Sequence, residues 1–309
     1  MVEVSIIVPA YNAEKFIQQT IDSLLNQSFK NCEFVFVNDG SEDNTLKILE
    51  ENKNKDARIV IVNTDNLGIS HARNAGIEEA KGKYILFLDA DDILISDALE
   101  VMISAIKENK ADVVIGKYIT FSNANSLVFP KDEVLNSVVL DKFEMQKLLS
   151  ECKKIENHVW GKLFKKTIFN NFRFNDNYRI WEDVKEMYKV IDLCSIGVLL
   201  NKTIVMYRVN ELSLSKQLSI EKINEFCIAQ ANKADFYLTA YPELARYHCE
   251  SMFQCAAEVV TRRLEKKVDY YKHFLKTYKK VTTRSGFKNK IKYFIIKYKF
   301  LNRLLLKTK

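Results

Sequence analysis

Lys83-Tyr84-Ile85-Leu86-Phe87-Leu88-Asp89-Ala90-Asp91-Asp92 runs from an apolar, β-prone segment straight into clustered carboxylates. The apolar part is short and does not alternate, which predicts a strand buried on both faces of a parallel sheet. Three acids crowded at its carboxyl end repel one another unless a cation sits among them. In an open α/β sheet that end is also where ligands bind. The guest this predicts is a divalent metal carrying an anionic, phosphate-bearing ligand.

Working outward, strands are predicted at residues 4–8, 34–37, 58–62, 84–88 and 112–115. Helices are predicted between them at 13–26, 43–52, 69–80 and 96–108, with Ser41 and Ser96 as caps. The first helix carries Phe16, Ile17, Thr20, Ile21, Leu24 and Leu25 on one face. This alternation argues for an α/β fold with a mostly parallel sheet flanked by helices. Beyond Gly116 the pattern loosens. Helices are predicted at 142–151 and 182–193, and two short strands at 196–200 and 203–207. From about residue 220 everything reads as helix, so the expected division is a domain over 1–219 and a helical region over 220–309.

Each predicted strand end carries a polar cluster: Pro9-Ala10-Tyr11-Asn12, Asn38-Asp39-Gly40-Ser41, Asp65-Asn66-Leu67-Gly68 with Arg73 close behind, and Asp89-Ala90-Asp91. A parallel sheet puts all four on one edge. Asp39 can accept a hydrogen bond from a base imide, and Tyr11 offers a ring face for stacking. Arg73 supplies a planar cationic fork, and Gly68 lets backbone approach a ligand closely. Asp89 suits a ribose and Asp91 a metal bridging two phosphates; hard oxygen donors match Mn²⁺ or Mg²⁺. Each cluster alone has an ordinary structural reading as well. Asp39 can simply tie a loop, and Arg73 can be a solvated helix residue.

Ser5-Ile6-Ile7-Val8-Pro9-Ala10-Tyr11-Asn12, Val37-Asn38-Asp39-Gly40-Ser41-Glu42-Asp43, Asn66-Leu67-Gly68 with Ala72-Arg73-Asn74, and Leu88-Asp89-Ala90-Asp91-Asp92 together resemble the family 2 glycosyltransferases of GT-A fold, with bacterial polysaccharide-assembly members the nearest in character. The resemblance implies a Rossmann-like GT-A sheet and an inverting sugar transfer from a nucleotide-sugar, usually a UDP-sugar, aided by Mn²⁺ or Mg²⁺. It implies nucleotide-sugar contacts at Pro9, Tyr11, Asn12, Asp39, Asn66, Gly68, Arg73, Asp89, Ala90 and Asp91. Asp183 in Trp181-Glu182-Asp183 corresponds to the family's general base, with Glu182 beside it. Both acids also suit a helix start for dipole reasons alone. Val159-Trp160-Gly161-Lys162 resembles a segment of polysaccharide-assembling members. Trp160 is then either core or a sugar platform, and Lys162 a candidate for acceptor or diphosphate. Tyr207-Arg208 with Ser213 and Ser215 resembles a loop that closes over the diphosphate. Where some members carry a metal-binding histidine, this chain has Asn210.

The composition, 47% apolar and 28% charged, is that of an ordinary globular protein. Six scattered cysteines and the absence of a leader pattern suit a reducing cytosol. No uncharged apolar run approaches bilayer length. The net charge of +7 is uneven: residues 270–309 hold 13 Lys and Arg and no acid, while the rest carries 34 basic and 40 acidic residues. Apolar Phe287, Ile291, Phe294, Tyr298, Leu301 and Leu305 form a helical stripe in that basic tail. A basic amphipathic helix of this kind suits an anionic membrane surface at the inner face of the cell membrane, reached through residues 284–309. Packing on protein or a homo-oligomer is the competing use. No nucleic-acid motif accompanies the charge. A membrane location would favour a lipid-linked glycan over other glycan or glycoprotein acceptors. A sugar-phosphate nucleotidyltransferase lacks its glycine-rich loop here, a dinucleotide enzyme its G-x-G, and a non-catalytic nucleotide-sugar binder would have no need of Asp183.

Overall fold

The computed structural model describes residues 2–122, 135–178, 180–209, 219–261, 270–286, 288–294 and 296–297. Two compact units divide the chain. The first comprises Met1–Met145, His158–Glu182 and Lys189–Glu211; the second comprises Gln146–Asn157, Asp183–Tyr188 and Leu212–Lys309.

The first unit is built on one mixed sheet. Strands β1 (Val4–Ala10), β2 (Cys32–Asp39), β3 (Ile59–Thr64) and β4 (Tyr84–Phe87) are parallel, in the order β3-β2-β1-β4. Beyond β4 the order runs β8 (Lys162–Lys165), β6 (Val113–Phe121), β9 (Ile196–Arg208) and the two-residue β5 (Ile93–Leu94). Strand β8 is antiparallel to both β4 and β6, β6 and β9 are parallel, and β7 (Ser137–Asp141) pairs with β9. Helices α1 (Ile17–Leu25), α2 (Thr45–Lys53), α3 (Ile69–Glu79) and α4 (Ala98–Glu108) follow the first strands in turn. Their apolar faces bury as the spacing predicts: Ile17, Thr20, Ile21 and Leu24 of α1 are inside. Each such aliphatic side chain contributes about 1.5–3 kcal/mol of burial. Gly76 lets α3 approach the sheet closely, because a Cβ there would lie 2.3 Å from Ile7 Cγ2. That approach seats Arg73, one turn earlier, beside the sheet edge.

Three expectations are corrected. Ser41 does not cap α2; its hydroxyl accepts the Asn12 N–H instead. Asp97 rather than Ser96 precedes α4, without a side-chain capping bond. Residues 196–207 are one strand rather than two, and β6 continues past Gly116. A register shift between Ile115 and Lys117 absorbs Asn201-Lys202, and a Cβ on Gly116 would sit 2.1 Å from Ile204. The glycine there marks a close approach of two strands, not a stop.

In the second unit, helices α7 (Ile220–Ala240), α8 (Cys249–Thr261) and α9 (Tyr271–Thr283) enclose Cys227, Ala231, Met252, Ala256, Phe274 and Tyr278. Ser219 caps α7 by accepting the Lys222 N–H. Helices α5 (Lys142–Glu151) and α6 (Glu182–Asp192) contribute residues to both units. The Tyr237 hydroxyl donates to Gln146 Oε1 at 2.6 Å, and buried Lys185 pairs with Glu225. After α9, Tyr293 packs edge-on to Tyr278 and Ile296 is buried, while Ile291 and Phe294 face outward. Phe287, Tyr298, Leu301 and Leu305 of the predicted stripe, and Asn210, Ser213 and Ser215 of the predicted loop, lie outside the described residues.

Candidate active site

Register puts the predicted clusters on one rim. Ala10 pairs with Asn38, Asp39 with Thr64, and Ile7 with Phe87, so β1, β2, β3 and β4 end side by side. Pro9 lies in β1, and Tyr11 just beyond it is 48% exposed. Asn12 has a left-handed φ of 48° and links two loops: its N–H donates to Ser41 Oγ at 3.0 Å, and its Oδ1 accepts the Glu42 N–H at 2.8 Å.

Asp39 ties the next loop in place. Its Oδ1 accepts from the Thr64 hydroxyl and the Leu67 N–H, and its Oδ2 from the Gly68 N–H, at 2.8–2.9 Å. Asn66 at φ 51° and Gly68 at φ 97° make the turn that brings those amides round. The Gly68 conformation is one that a side chain would resist.

Arg73 is buried rather than solvated. Its NH1 donates to Glu182 Oε1 at 2.7 Å, its NH2 lies 3.8 Å from Asp89 Oδ1, and its guanidinium sits 5.5 Å from the Phe174 ring centre. The start of α6 is thereby bound to the end of β4. Trp181, just before it, holds a left-handed φ of 57°, a strained conformation for a bulky residue. Asp183 follows Glu182 in the chain and belongs to the second unit. There it is half-buried, and its Oδ1 accepts the Val184 N–H at 2.7 Å. Buried Lys233 donates to Asn157 Oδ1 at 2.7 Å in the same unit. Burial pulls the Lys233 ammonium down to about 8, with Asp183 acting in the opposite direction.

The carboxylates after β4 differ among themselves. Asp89 is partly open, and the carbonyl of buried Ala90 accepts the Thr20 hydroxyl. Burial raises Asp91 above the usual carboxylate range, with Arg208 pulling the other way. Asp92 is raised much further by burial and by the charges of Asp89 and Asp91. Arg208 closes this corner. Its N–H donates to Asp92 Oδ1 at 2.8 Å, its Nε to the Asp91 carbonyl at 2.8 Å, and its NH2 to Gln19 at 2.6 Å. Phe16 and Phe121 place ring centres 4.6 and 4.4 Å from its guanidinium. Gln19 and Phe16 share a turn of sequence but carried no ligand signal, and nothing in the sequence pointed to Phe121.

Among the described residues no group of three or more His, Cys, Asp or Glu converges to hold a metal. Asp89 and Asp91 nevertheless suit a cation completed by phosphate oxygens and water, the usual habit of Mg²⁺.

Two residues take other roles than a rim position would give. Trp160 stacks on His158 at 3.6 Å and on Tyr207 at 5.2 Å, with Tyr118 edge-on, and is 7% exposed within the core cluster. Lys162 is fully buried and donates to the His158 carbonyl. Burial and that ammonium push the His158 imidazole down to about 2.

The model of glycosyl transferase family 2 matches residues 5–173. Glycosyltransferase GlyA of Streptococcus pneumoniae serotype 4 is 33% identical over 220 residues, covering 69% of this chain and 32% of that protein. The chain thus spans about a third of GlyA's length. The UDP-Glc:alpha-D-GlcNAc-diphosphoundecaprenol beta-1,3-glucosyltransferase WfgD of Escherichia coli is 33% identical over 218 residues, covering 69% of this chain and 79% of that protein. The crystal structure of S. aureus TarS in complex with UDP superposes with a TM-score of 0.70 at 21% identity, covering 96% of this chain and 87% of that one. With this fold, these rim motifs and a family match across more than half its length, the chain belongs to glycosyl transferase family 2, with a GT-A fold.

Proposed function

We propose that this chain is an inverting glycosyltransferase that moves a hexose from a UDP-sugar to a hydroxyl of a glycan acceptor. The observation that carries the reading is the rim on which Arg73 joins Glu182 at 2.7 Å to Asp89 at 3.8 Å. The donor's base would lie by Tyr11 and Asp39, its ribose by Asp89 and its diphosphate by Asp91. Asp39 Oδ2 accepts one bond from the protein and retains an acceptor site for a base N–H.

In the transfer, the acceptor oxygen attacks the anomeric carbon opposite the diphosphate, the bond to the diphosphate breaks, and the acceptor proton passes to Asp183. Glu182 is engaged by Arg73, so it holds the start of α6 rather than taking that proton. Mn²⁺ or Mg²⁺ held by Asp89 and Asp91 would supply positive charge facing the leaving diphosphate. Arg208, fixed between two phenylalanines, holds the Asp91 backbone in place.

The name of WfgD specifies UDP-Glc as donor and a sugar on diphosphoundecaprenol as acceptor. We take that chemical class, a glycan on a lipid diphosphate, as the acceptor for this chain, at the inner face of the cell membrane. No helix among the described residues is long and apolar enough to cross a membrane. The test is nucleotide release across a panel of UDP-, GDP- and dTDP-sugars with and without Mn²⁺. Release of UDP from one UDP-sugar, suppressed by chelation, is expected. Tight UDP binding with no release from any donor would make the protein a binder only.

A further inference from the structure

The ends of α7 and α9 border a cleft of about 540 Å³ in the second unit, lined by Leu238, Thr283, Lys276, Lys279, Lys280 and Arg284 among others. Four cations share this one concavity. Arg284 donates to the Leu238 carbonyl at 3.2 Å, which answers the partial negative charge at the end of α7. Among the described residues, Lys276, Lys279 and Lys280 pair with no carboxylate. The nearby acid of α7, Asp235, is already taken by His273 at 3.1 Å and by Thr277. A helix end carries only about half a charge, so three further ammonium groups exceed what the fold requires.

We propose that this cleft binds the phosphate groups of anionic membrane lipids. A phosphate oxygen cluster is the ligand chemistry that converging ammonium groups recognise. The choice of a lipid over a soluble phosphate rests on the segment that follows α9. There Ile291 and Phe294, one helical turn apart, are 43% and 66% exposed, while their neighbours Tyr293 and Ile296 are buried. A free anion has no use for exposed apolar side chains, whereas a lipid surface takes both the charge and the apolar pair. The whole stretch 270–309 carries 13 basic residues and no acid, so nothing in its own sequence opposes an anionic surface. The site lies outside the sugar-transfer machinery and does not depend on the proposed reaction.

The experiment is co-sedimentation of the full chain with phosphatidylcholine vesicles, with or without about 30% phosphatidylglycerol. Each lysine at an anionic surface is worth roughly fivefold in partitioning, so K276Q/K279Q/K280Q should lower binding on the order of a hundredfold. I291S/F294S should weaken it as well, and millimolar inorganic phosphate should not displace the protein. Unchanged binding by the folded triple variant, or equal binding to neutral vesicles, overturns the proposal. Displacement by inorganic phosphate overturns the lipid assignment in favour of a soluble anion. Should the triple variant lose its circular dichroism, K279Q and K280Q alone are each expected to lose about fivefold, and no loss in either overturns the proposal equally.

Discussion

Arg73 and Asp183 show what single residues reveal and conceal. An arginine on a helix reads as a surface residue, yet here its fork is buried against Glu182 and faces Asp89. Its partner lies 109 positions away, a distance no local pattern reports. The rim position of Asp39 and Asp89 was legible because each follows an apolar run, and Asp39 ties the neighbouring loop through Thr64, Leu67 and Gly68. Trp160 was not, because stacking against His158 and Tyr207 is decided by the fold around it. Asp183 carries the sharpest residue-level prediction. Asp183→Asn keeps shape but removes the proposed base, so turnover should drop by about 10²–10⁴-fold while UDP affinity by calorimetry is unchanged. Near-normal turnover would move the base elsewhere.

Among the elements, the strand–helix alternation of the first unit could be read directly, since each apolar face has a period of its own. What failed were the places where glycine and polar residues acted through tertiary contacts. The pattern loosened after Gly116, where β6 in fact comes close to Ile204 of its partner strand, and Asn201-Lys202 looked like a break and proved to be a bulge. Ser41 offered a capping hydroxyl that Asn12 had already claimed. Helix α7 carries a misfit of its own, Lys233, at 2% exposure. Its folded pKa of about 8 lies below the value of about 10.4 expected when unfolded. Between those values the unfolded chain binds more protons, so this lysine costs most below pH 8 and the cost fades as pH rises to about 10.4. Lys233→Met should therefore raise unfolding stability by about 2 kcal/mol at pH 7, after allowing for the bond lost at Asn157. Urea denaturation at pH 7 and near pH 10 checks this, with the gain shrinking at the higher pH.

At the scale of the molecule, the sheet explains why residues from four separate loops meet on one rim. Parallel strands in register deliver their ends to the same rim whatever their spacing in sequence. That much follows from alternation and strand-end chemistry. The antiparallel insertion of β8 between β4 and β6, and the Arg208 corner built on Phe16, Phe121 and Asp92, do not, because both need chain segments that meet only after folding. The second unit was legible as helix but not in its buried charges, since Lys185 and Lys233 look like ordinary solvated lysines until their partners are placed. The central claim is that the rim seats a nucleoside diphosphate through its carboxylates and a divalent cation. Calorimetric titration of UDP with and without Mn²⁺, on the natural chain and on Asp91→Ala, tests it most directly. The account predicts Mn²⁺-dependent UDP binding that Asp91→Ala weakens at least tenfold, about 1.4 kcal/mol. UDP binding of equal strength in all four titrations would contradict it.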